Sequence, residues 1–223
     1  MDEPALDPDE HRRALAGLAR INRWSGSDHL LWPIIRQEAA SIGDRPLRVL
    51  DVATGSGDVL MGLARRAARA GIRLQLAGCD ISPTAVAAAT AAAEAAGANI
   101  HFFQHNVLSQ PLPAGYDVVV TSLFLHHLSQ PEAVYLLREM GRASDRLVIV
   151  NDLHRSRINI ALVWLACHVL SRSRIVWHDG PASVRAAFTP GEARELATSA
   201  ALSDARVVPK LGCRWLLTWR KQG

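Results

Sequence analysis

The chain has 223 residues, of which 49% are hydrophobic and 21% are charged, and its formal net charge is +4. This length and composition suit one folded domain with a full hydrophobic core, and they exclude an intrinsically disordered chain. The arginines are scattered through the sequence without a dense basic stripe, so we do not expect nucleic acid as a partner.

Cysteine usage and the first residues indicate a cytoplasmic protein. The three cysteines, Cys79, Cys167 and Cys213, lie far apart and form no Cys-x-x-Cys motif, which argues against a disulfide framework or a zinc site. The acidic N-terminus lacks the pattern of a signal peptide. The longest apolar stretch, residues 160–170, is shorter than the ~20 residues that cross a bilayer, so we expect no transmembrane segment.

The first 44 residues predict a helical cap. Leucines and isoleucines recur three and four positions apart in residues 9–22 and again in residues 28–40, which is the spacing of helices. We expect residues 1–44 to form a cap or lid on one globular domain, residues 45–223.

From residue 45 onward, predicted strands alternate with predicted helices. Apolar runs predict five strands, at residues 49–53, 72–80, 99–106, 116–124 and 145–153. Helical segments follow at residues 58–70, 82–97, 131–140 and 158–171, and another begins at Thr189. Two last strands, at residues 205–212 and 213–221, predict an antiparallel edge. The predicted fold class is α/β: a Rossmann-like, doubly wound, mostly parallel seven-stranded sheet with an antiparallel C-terminal edge.

A glycine-rich turn follows the first predicted strand and indicates a nucleotide site. Asp51 ends the strand, and Gly55 and Gly57 allow the backbone to turn tightly and to approach a ligand. NAD and S-adenosylmethionine both fit such a turn. A dinucleotide fold expects a third glycine where Leu60 stands. The Asp58 carboxylate would repel a pyrophosphate but tolerate a cationic methionine moiety.

The pattern resembles a class I S-adenosylmethionine-dependent methyltransferase over residues 45–223. The stretch DVATGSGD, residues 51–58, is similar to the Asp-Val-Ala-x-Gly-Thr-Gly-Asp stretch of the ubiquinone/menaquinone biosynthesis C-methyltransferase family. HLLW at residues 29–32 resembles that family's N-terminal His-x-x-Trp. Residues 183–197 resemble its serine-rich turn, aromatic residue and helix.

The resemblance implies a cofactor site on matching positions. The turn after the first strand would lie along the methionine and ribose, Asp80 would bind the ribose hydroxyls, and Asn106 would lie near the adenine amino group. Asp58 and Asn106 also have structural interpretations, as a first-turn acid and a turn residue. The implied cofactor-binding residues are Asp51, Ala53, Thr54, Gly55, Gly57, Asp58, Asp80, Ile81, Asn106 and Val107.

Histidines are the candidate catalytic residues. A hydroxyl or an enolisable carbon must lose a proton before it accepts a methyl group, and a histidine near neutral pKa is a plausible base. His126 and His127 follow the fourth strand, and His154 follows the fifth. The paired histidines also suit a packing role, His154 suits a surface loop, and His178 suits a structural hydrogen bond to Asp179.

Some features argue for other acceptors or other chemistry. The quinone family has an Arg-Asn pair where this chain has His126 and His127, which favours a specialised acceptor at least as much as a core quinone precursor. Asn151, Asp152, His154 and His127 offer magnesium ligands, but no carboxylate follows the fourth strand before Glu132, so we expect no metal. The apolar helix at residues 158–171 suits packing or an acceptor wall. Contact of Trp164 with a membrane surface has no basic face to support it in the sequence.

The sequence therefore predicts an S-adenosylmethionine-dependent methyltransferase. It would methylate oxygen or carbon of a lipophilic small molecule, such as a phenol, a quinone precursor or a polyketide-like ring in secondary metabolism. A nicotinamide-dependent oxidoreductase and a non-catalytic cofactor-binding scaffold remain as alternatives. Amino-group methylation of nucleic acid or protein is a weaker one, since the Asn/Asp-Pro-Pro-Tyr motif is absent after the fourth strand. The oligomeric state is open, with a homodimer among the alternatives.

Overall fold

A computed structural model describes residues 26–170, 174–211 and 213–222 of the chain. Its helices are α1 (Ser27–Ser41), α2 (Asp58–Ala70), α3 (Pro83–Ala95), α4 (Gln130–Ala143), α5 (Arg157–Leu170), α6 (Arg174–Ala186) and α7 (Pro190–Ser199). Its strands are β1 (Leu47–Val52), β2 (Leu74–Asp80), β3 (Ile100–Gln104), β4 (Tyr116–Ser122), β5 (Ser144–Leu153), β6 (Arg206–Lys210) and β7 (Arg214–Arg220). A single turn of 3-10 helix, Leu125–His127, follows β4.

The seven strands form one sheet in the order β3-β2-β1-β4-β5-β7-β6. The first five strands are parallel, whereas β7 runs antiparallel to both β5 and β6. This confirms the predicted fold class. The direction of winding reverses between β1 and β4, so the crevice beyond the carboxyl ends of these strands is the position at which such sheets bind ligands.

Helices cover both faces of the sheet. Val118 and Val120 belong to one buried cluster, which includes Leu60 of α2, and Val119 belongs to the other, which includes Leu136 of α4. Successive side chains of a strand point to opposite faces, so a strand buried on both sides is apolar throughout.

Helix α1 packs against the core and is tied to the sheet by charge. Leu31 and Ile35 are fully buried. The buried Glu38 accepts hydrogen bonds from Arg146 of β5 at 2.5 Å and Arg220 of β7 at 2.6 Å. This helix coincides with the predicted helix at residues 28–40. The other predicted helix of the cap, residues 9–22, lies outside the described residues.

Local residues fix several helix ends, but α4 runs through Gly141 to Ala143, past the end predicted at residue 140. Ser82 Oγ accepts a hydrogen bond from the Ala85 N–H, and Thr189 accepts one from the Glu192 N–H in a capping box. Gly71 ends α2 with φ 66°, in the left-handed region that favours glycine. One helix was not predicted, because α6 occupies residues that the sequence left unassigned before Thr189. Within the described ranges, no helix is long and apolar enough to cross a membrane.

Candidate functional site

The turn after β1 has an unusual backbone. Ala53, Gly55 and Gly57 all have positive φ, at 56°, 55° and 76°. For alanine this conformation costs ~1–2 kcal/mol, and such strain is concentrated at functional sites. The Gly57 N–H donates to the Thr54 carbonyl at 3.0 Å, which closes the turn directly before α2.

The two glycines of this turn serve different purposes. A Cβ added to Gly57 would lie 2.7 Å from the Phe102 ring and 3.2 Å from Ala89 Cβ, so Gly57 permits close packing of α2 on the sheet. A Cβ added to Gly55 would meet nothing within 4 Å. Gly55 therefore faces open space. A residue whose backbone is to approach a ligand closely needs such space.

Asp51 is a buried carboxylate at the end of β1. One oxygen accepts a hydrogen bond from Thr54 Oγ1 at 2.8 Å, and the other is buried with no hydrogen-bond partner among the described residues. Burial raises the pKa of Asp51 to about 7, and the nearby charge of Asp80 adds to the rise. Such a carboxylate is suited to a cationic ligand, which would favour its ionised form.

Asp80 connects the turn to the next strand. Its Oδ2 accepts a hydrogen bond from the Gly55 N–H at 2.9 Å, and its Oδ1 accepts one from the Ser82 N–H at 3.0 Å. Each carboxylate oxygen retains a second lone pair that can accept a ligand hydroxyl. Ile81, next to it, is 61% exposed at the same edge of the sheet.

The remaining predicted cofactor residues have structural roles in the chain as it stands. Asn106 Oδ1 accepts from the Leu108 N–H at 3.1 Å, which is a turn contact. Val107 is buried in the core. Asp58 begins α2 and accepts from Ser56 Oγ at 2.8 Å. Contacts of Asn106, Val107 and Asp58 with a cofactor stay predictions.

His126 and Asp152 form a buried pair across β4 and β5. The Nδ1 atom of His126 lies 2.7 Å from Asp152 Oδ1, and the His126 backbone N–H donates to Oδ2 at 3.1 Å. Both residues are less than 10% exposed. A carboxylate that accepts the Nδ1 proton fixes the tautomer in which Nε2 is the basic nitrogen. The sequence identified His126 as a candidate but did not pair it with Asp152.

His127 packs beside this pair. Its ring centroid lies 4.1 Å from that of His126 and 6.4 Å from that of Phe124. Desolvation of the packed side of the ring lowers the pKa of His127, and the neighbouring His126 lowers it further. His127 is therefore neutral at physiological pH and offers a hydrogen-bonding nitrogen at the exposed end of the turn.

His154 is half-buried where β5 leads into α5. Its backbone N–H donates to the Cys213 carbonyl at 2.8 Å, and its carbonyl accepts from Asn159 Nδ2 at 2.8 Å. Among the described residues, no carboxylate lies within ion-pair distance of its ring. The backbone at His154 is thus well fixed, but its imidazole lacks the orienting partner that His126 has.

A polar network that was not predicted lies behind the pair. Ser27 Oγ, at the start of α1, accepts from Arg214 Nη1 at 2.7 Å and from Asn151 Nδ2 at 3.1 Å. Asn151 Nδ2 also donates to Ser122 Oγ at 2.7 Å. Burial lowers the pKa of Arg214 to about 10, with Asp152 as the main opposing charge, so Arg214 remains charged at neutral pH. In the sequence, the one sign of this network is a charged residue, Arg214, directly before the apolar run WLLTW at residues 215–219.

The remaining candidates make contacts other than those the sequence suggested. His178 lies on α6 and is exposed, and its Nδ1 is 3.6 Å from Asp179 Oδ1, which is too long for the suggested hydrogen bond. Asn151 and Asp152, suggested by the sequence as metal ligands, instead bond to serines and to His126. In the described ranges, no group of three or more His, Cys, Asp and Glu side chains is arranged to hold a metal ion.

Comparison with known proteins agrees with the fold and with the turn. Residues 49–145, from β1 into the start of β5, match the family model described as a methyltransferase domain. The chain resembles the class I S-adenosylmethionine-dependent methyltransferases, as the sequence predicted.

One curated relative is the demethylmenaquinone methyltransferase of Thermus thermophilus. It is 38% identical over 107 residues, and the match covers 47% of this chain. It also covers 47% of the relative, so the matched chain spans about half of that protein's length.

Two solved structures have the same fold. Magnesium protoporphyrin IX methyltransferase from Synechocystis PCC 6803, with bound S-adenosylhomocysteine, has a TM-score of 0.64 and 17% identity over 94% of each chain. The plantazolicin methyltransferase, also with S-adenosylhomocysteine, has a TM-score of 0.69 and 15% identity over 97% of this chain and 91% of that one. At these identities the similarity concerns the fold.

Proposed function

We propose that the protein is an S-adenosylmethionine-dependent methyltransferase that acts on a lipophilic small molecule. The observation that carries this proposal is the turn after β1, where open space above Gly55 adjoins the anchored Asp80 and the unpartnered oxygen of Asp51. The methyltransferase domain match includes all three residues. Structural neighbours that hold S-adenosylhomocysteine support the same cofactor.

Each residue at the turn has a separate role in binding the cofactor. Gly55 lets the backbone approach the ligand, and Asp80 is held by two backbone N–H groups in position to accept from ribose hydroxyls. Asp51 supplies a carboxylate beside the methionine moiety, whose sulfonium is cationic. The exposed Ile81 provides apolar surface next to Asp80 for the adenine.

The cofactor, when bound, supplies an activated methyl group on a sulfonium. The protein holds the acceptor in line with it, and orientation of this kind is a large part of catalysis. A phenol or an enolisable carbon also transfers a proton to a base as the new bond to carbon forms. We assign this base to Nε2 of His126, because Asp152 holds the Nδ1 proton and stabilises the imidazolium that results.

The acceptor class rests on the relatives. Demethylmenaquinone methyltransferase and the plantazolicin methyltransferase are named for a quinone precursor and a natural product. Quinone precursors are therefore the first acceptors to test, for methylation at oxygen or carbon, followed by phenols and polyketide-like rings, the other lipophilic classes that the sequence suggested.

Calorimetric titration with S-adenosylmethionine, S-adenosylhomocysteine and NADH tests the donor. We expect the first two to bind and NADH not to bind. If NADH alone binds, the proposal is wrong and the turn belongs to an oxidoreductase.

A panel of phenolic and quinonoid acceptors, with product detected by mass spectrometry, then tests the base. We expect His126→Ala to lower turnover by about 10²-fold or more with unchanged cofactor affinity, and His154→Ala, the matched control, to lower it much less. The reverse ranking would assign the base to His154.

A further inference from the structure

Helix α5 exposes one apolar face. Ile158, Leu162, Leu165 and Val169 are 73%, 51%, 54% and 73% exposed, and their spacing of four, three and four residues places them in a single stripe along the helix. The helix packs on α6 through its opposite side, where Cys167 is buried. Contiguous exposed apolar surface of this kind marks an interaction site.

Aromatic residues border this stripe. Trp164 is 52% exposed, and its ring centroid lies 4.2 Å from that of His168, which stacks on Trp177 of α6 at 4.6 Å. A tryptophan with one face packed on the protein and the rest in solvent is typical of side chains at a membrane interface.

Helices α5 and α6 pack together as a hairpin, and the sequence of this hairpin is basic. Residues 154–188 contain five arginines and one acid, Asp179, which gives this segment a formal charge of +4. Helix α5 itself contains no Asp or Glu, and Arg157 at its start and Arg185 of α6 are exposed. Of the five arginines, Arg155 pairs with Glu192 of α7, so the other four carry the basic character of the hairpin.

We propose that the α5–α6 hairpin docks on the surface of an anionic lipid bilayer. The stripe would enter the boundary between headgroups and acyl chains, and the arginines would contact anionic headgroups. With 14 residues α5 is only about 21 Å long, so it lies on the membrane rather than across it.

Charge disfavours the other occupants of the stripe. A second copy of the chain would bring two hairpins of the same sign together, which is repulsive. Residues 11–24 of this chain, the N-terminal part with helical spacing, contain four arginines and no acid, whereas the five acids of the N-terminus lie in the polar residues 1–10. The part that could pack on the stripe therefore has the same sign of charge as the hairpin. An anionic bilayer complements both the apolar stripe and its charge.

Binding to the bilayer requires neither the cofactor nor turnover, so its test is independent of the proposed function. If that function is right, docking would bring the enzyme to the phase in which a lipophilic acceptor dissolves.

Co-sedimentation of the full chain with phosphatidylglycerol/phosphatidylcholine vesicles tests the surface. We expect binding to these vesicles, weaker binding to phosphatidylcholine alone, and weakening by salt. Leu162→Asp with Leu165→Asp should reduce the partition coefficient by more than about tenfold. Leu211→Asp is the matched control, because Leu211 is 94% exposed in the turn between β6 and β7, outside the hairpin.

Both variants replace exposed side chains, so unchanged thermal melting should show that each is folded. Equal binding by the double variant and the wild type would overturn the proposal. So would absence of wild-type binding, including the case in which sedimentation finds a dimer that the double variant dissociates. That last result would assign the stripe to a second copy of the chain.

Discussion

Replacing Asp51 with asparagine should stabilise the fold and at the same time remove a proton-linked contribution to cofactor binding. The carboxylate is buried, one oxygen has no partner among the described residues, and desolvation raises its pKa to about 7 from the ordinary 3.8. An amide retains an acceptor for the Thr54 hydroxyl and carries no charge.

The size and sign of the effect follow from the difference between folded and unfolded pKa. A rise of about three units at about 1.4 kcal/mol per unit gives a cost of about 4 kcal/mol to the wild type above pH 7. Between pH 4 and pH 7 the unfolded chain loses this proton first, so the wild type loses stability as pH rises. Asp51→Asn does not lose stability in this way. Its free energy of unfolding should equal that of the wild type at about pH 4 and exceed it by about 4 kcal/mol at pH 8.

Urea unfolding of both proteins at pH 4.5, 6 and 8 measures this difference. Calorimetry with S-adenosylmethionine at pH 6.5, in buffers of different ionisation enthalpy, measures the linked proton. The wild type should release a proton on binding, because a cation beside Asp51 favours the carboxylate, and Asp51→Asn should not. A stability difference that does not change with pH would refute the reasoning about Asp51. Equal proton release by both proteins would refute its place beside the cation.

Two further predictions concern the turn and the far end of the sheet. Gly55→Ala should lower the free energy of unfolding by about 1–2 kcal/mol, from its positive φ alone, and should greatly weaken S-adenosylmethionine binding. Gly57→Ala should lower the free energy of unfolding further, because the added Cβ overlaps the Phe102 ring. Thermal melting and calorimetry compare the two, and equal cofactor affinity of wild type and Gly55→Ala would remove Gly55 from the site. Although burial opposes it, hydrogen bonds from Arg45 and from the Arg48 N–H hold the pKa of Asp117 at about 2. The free energy of unfolding of the wild type should therefore fall by about 2 kcal/mol between pH 4.5 and pH 2. Urea unfolding should show no such fall for Asp117→Asn.

The sheet could be predicted from the sequence because its strands are buried on both faces. Apolar runs such as residues 116–122 interrupt helical periodicity clearly, and residues such as Ser82 and Thr189 mark the beginnings of helices by a local mechanism. The glycine turn was equally predictable, since the signals that define it lie within eight consecutive residues, 51–58.

Helix α6 could not be predicted because its signals are tertiary. Gly180 and Pro181 are helix-breaking residues in the middle of the segment, so local propensity indicates a turn. In the fold, any side chain at Gly180 would overlap Cys167 of α5. The glycine is there because two helices approach closely, which only the packed structure can reveal.

The proposed base, His126, was one of three candidate histidines in the sequence, and the sequence alone could not distinguish it from His127 and His154 because the distinction depends on strand register. Ser122 of β4 pairs with Asn151 of β5, which places the turn after β4 beside Asp152 and gives His126 its carboxylate. The antiparallel pairing of Leu153 with Arg214 then brings a buried cation from β7 to the same end of the sheet. A histidine becomes a specific base when the strands on either side supply its orienting carboxylate and the charge behind it. The antiparallel edge is therefore part of the proposed site as well as part of the sheet.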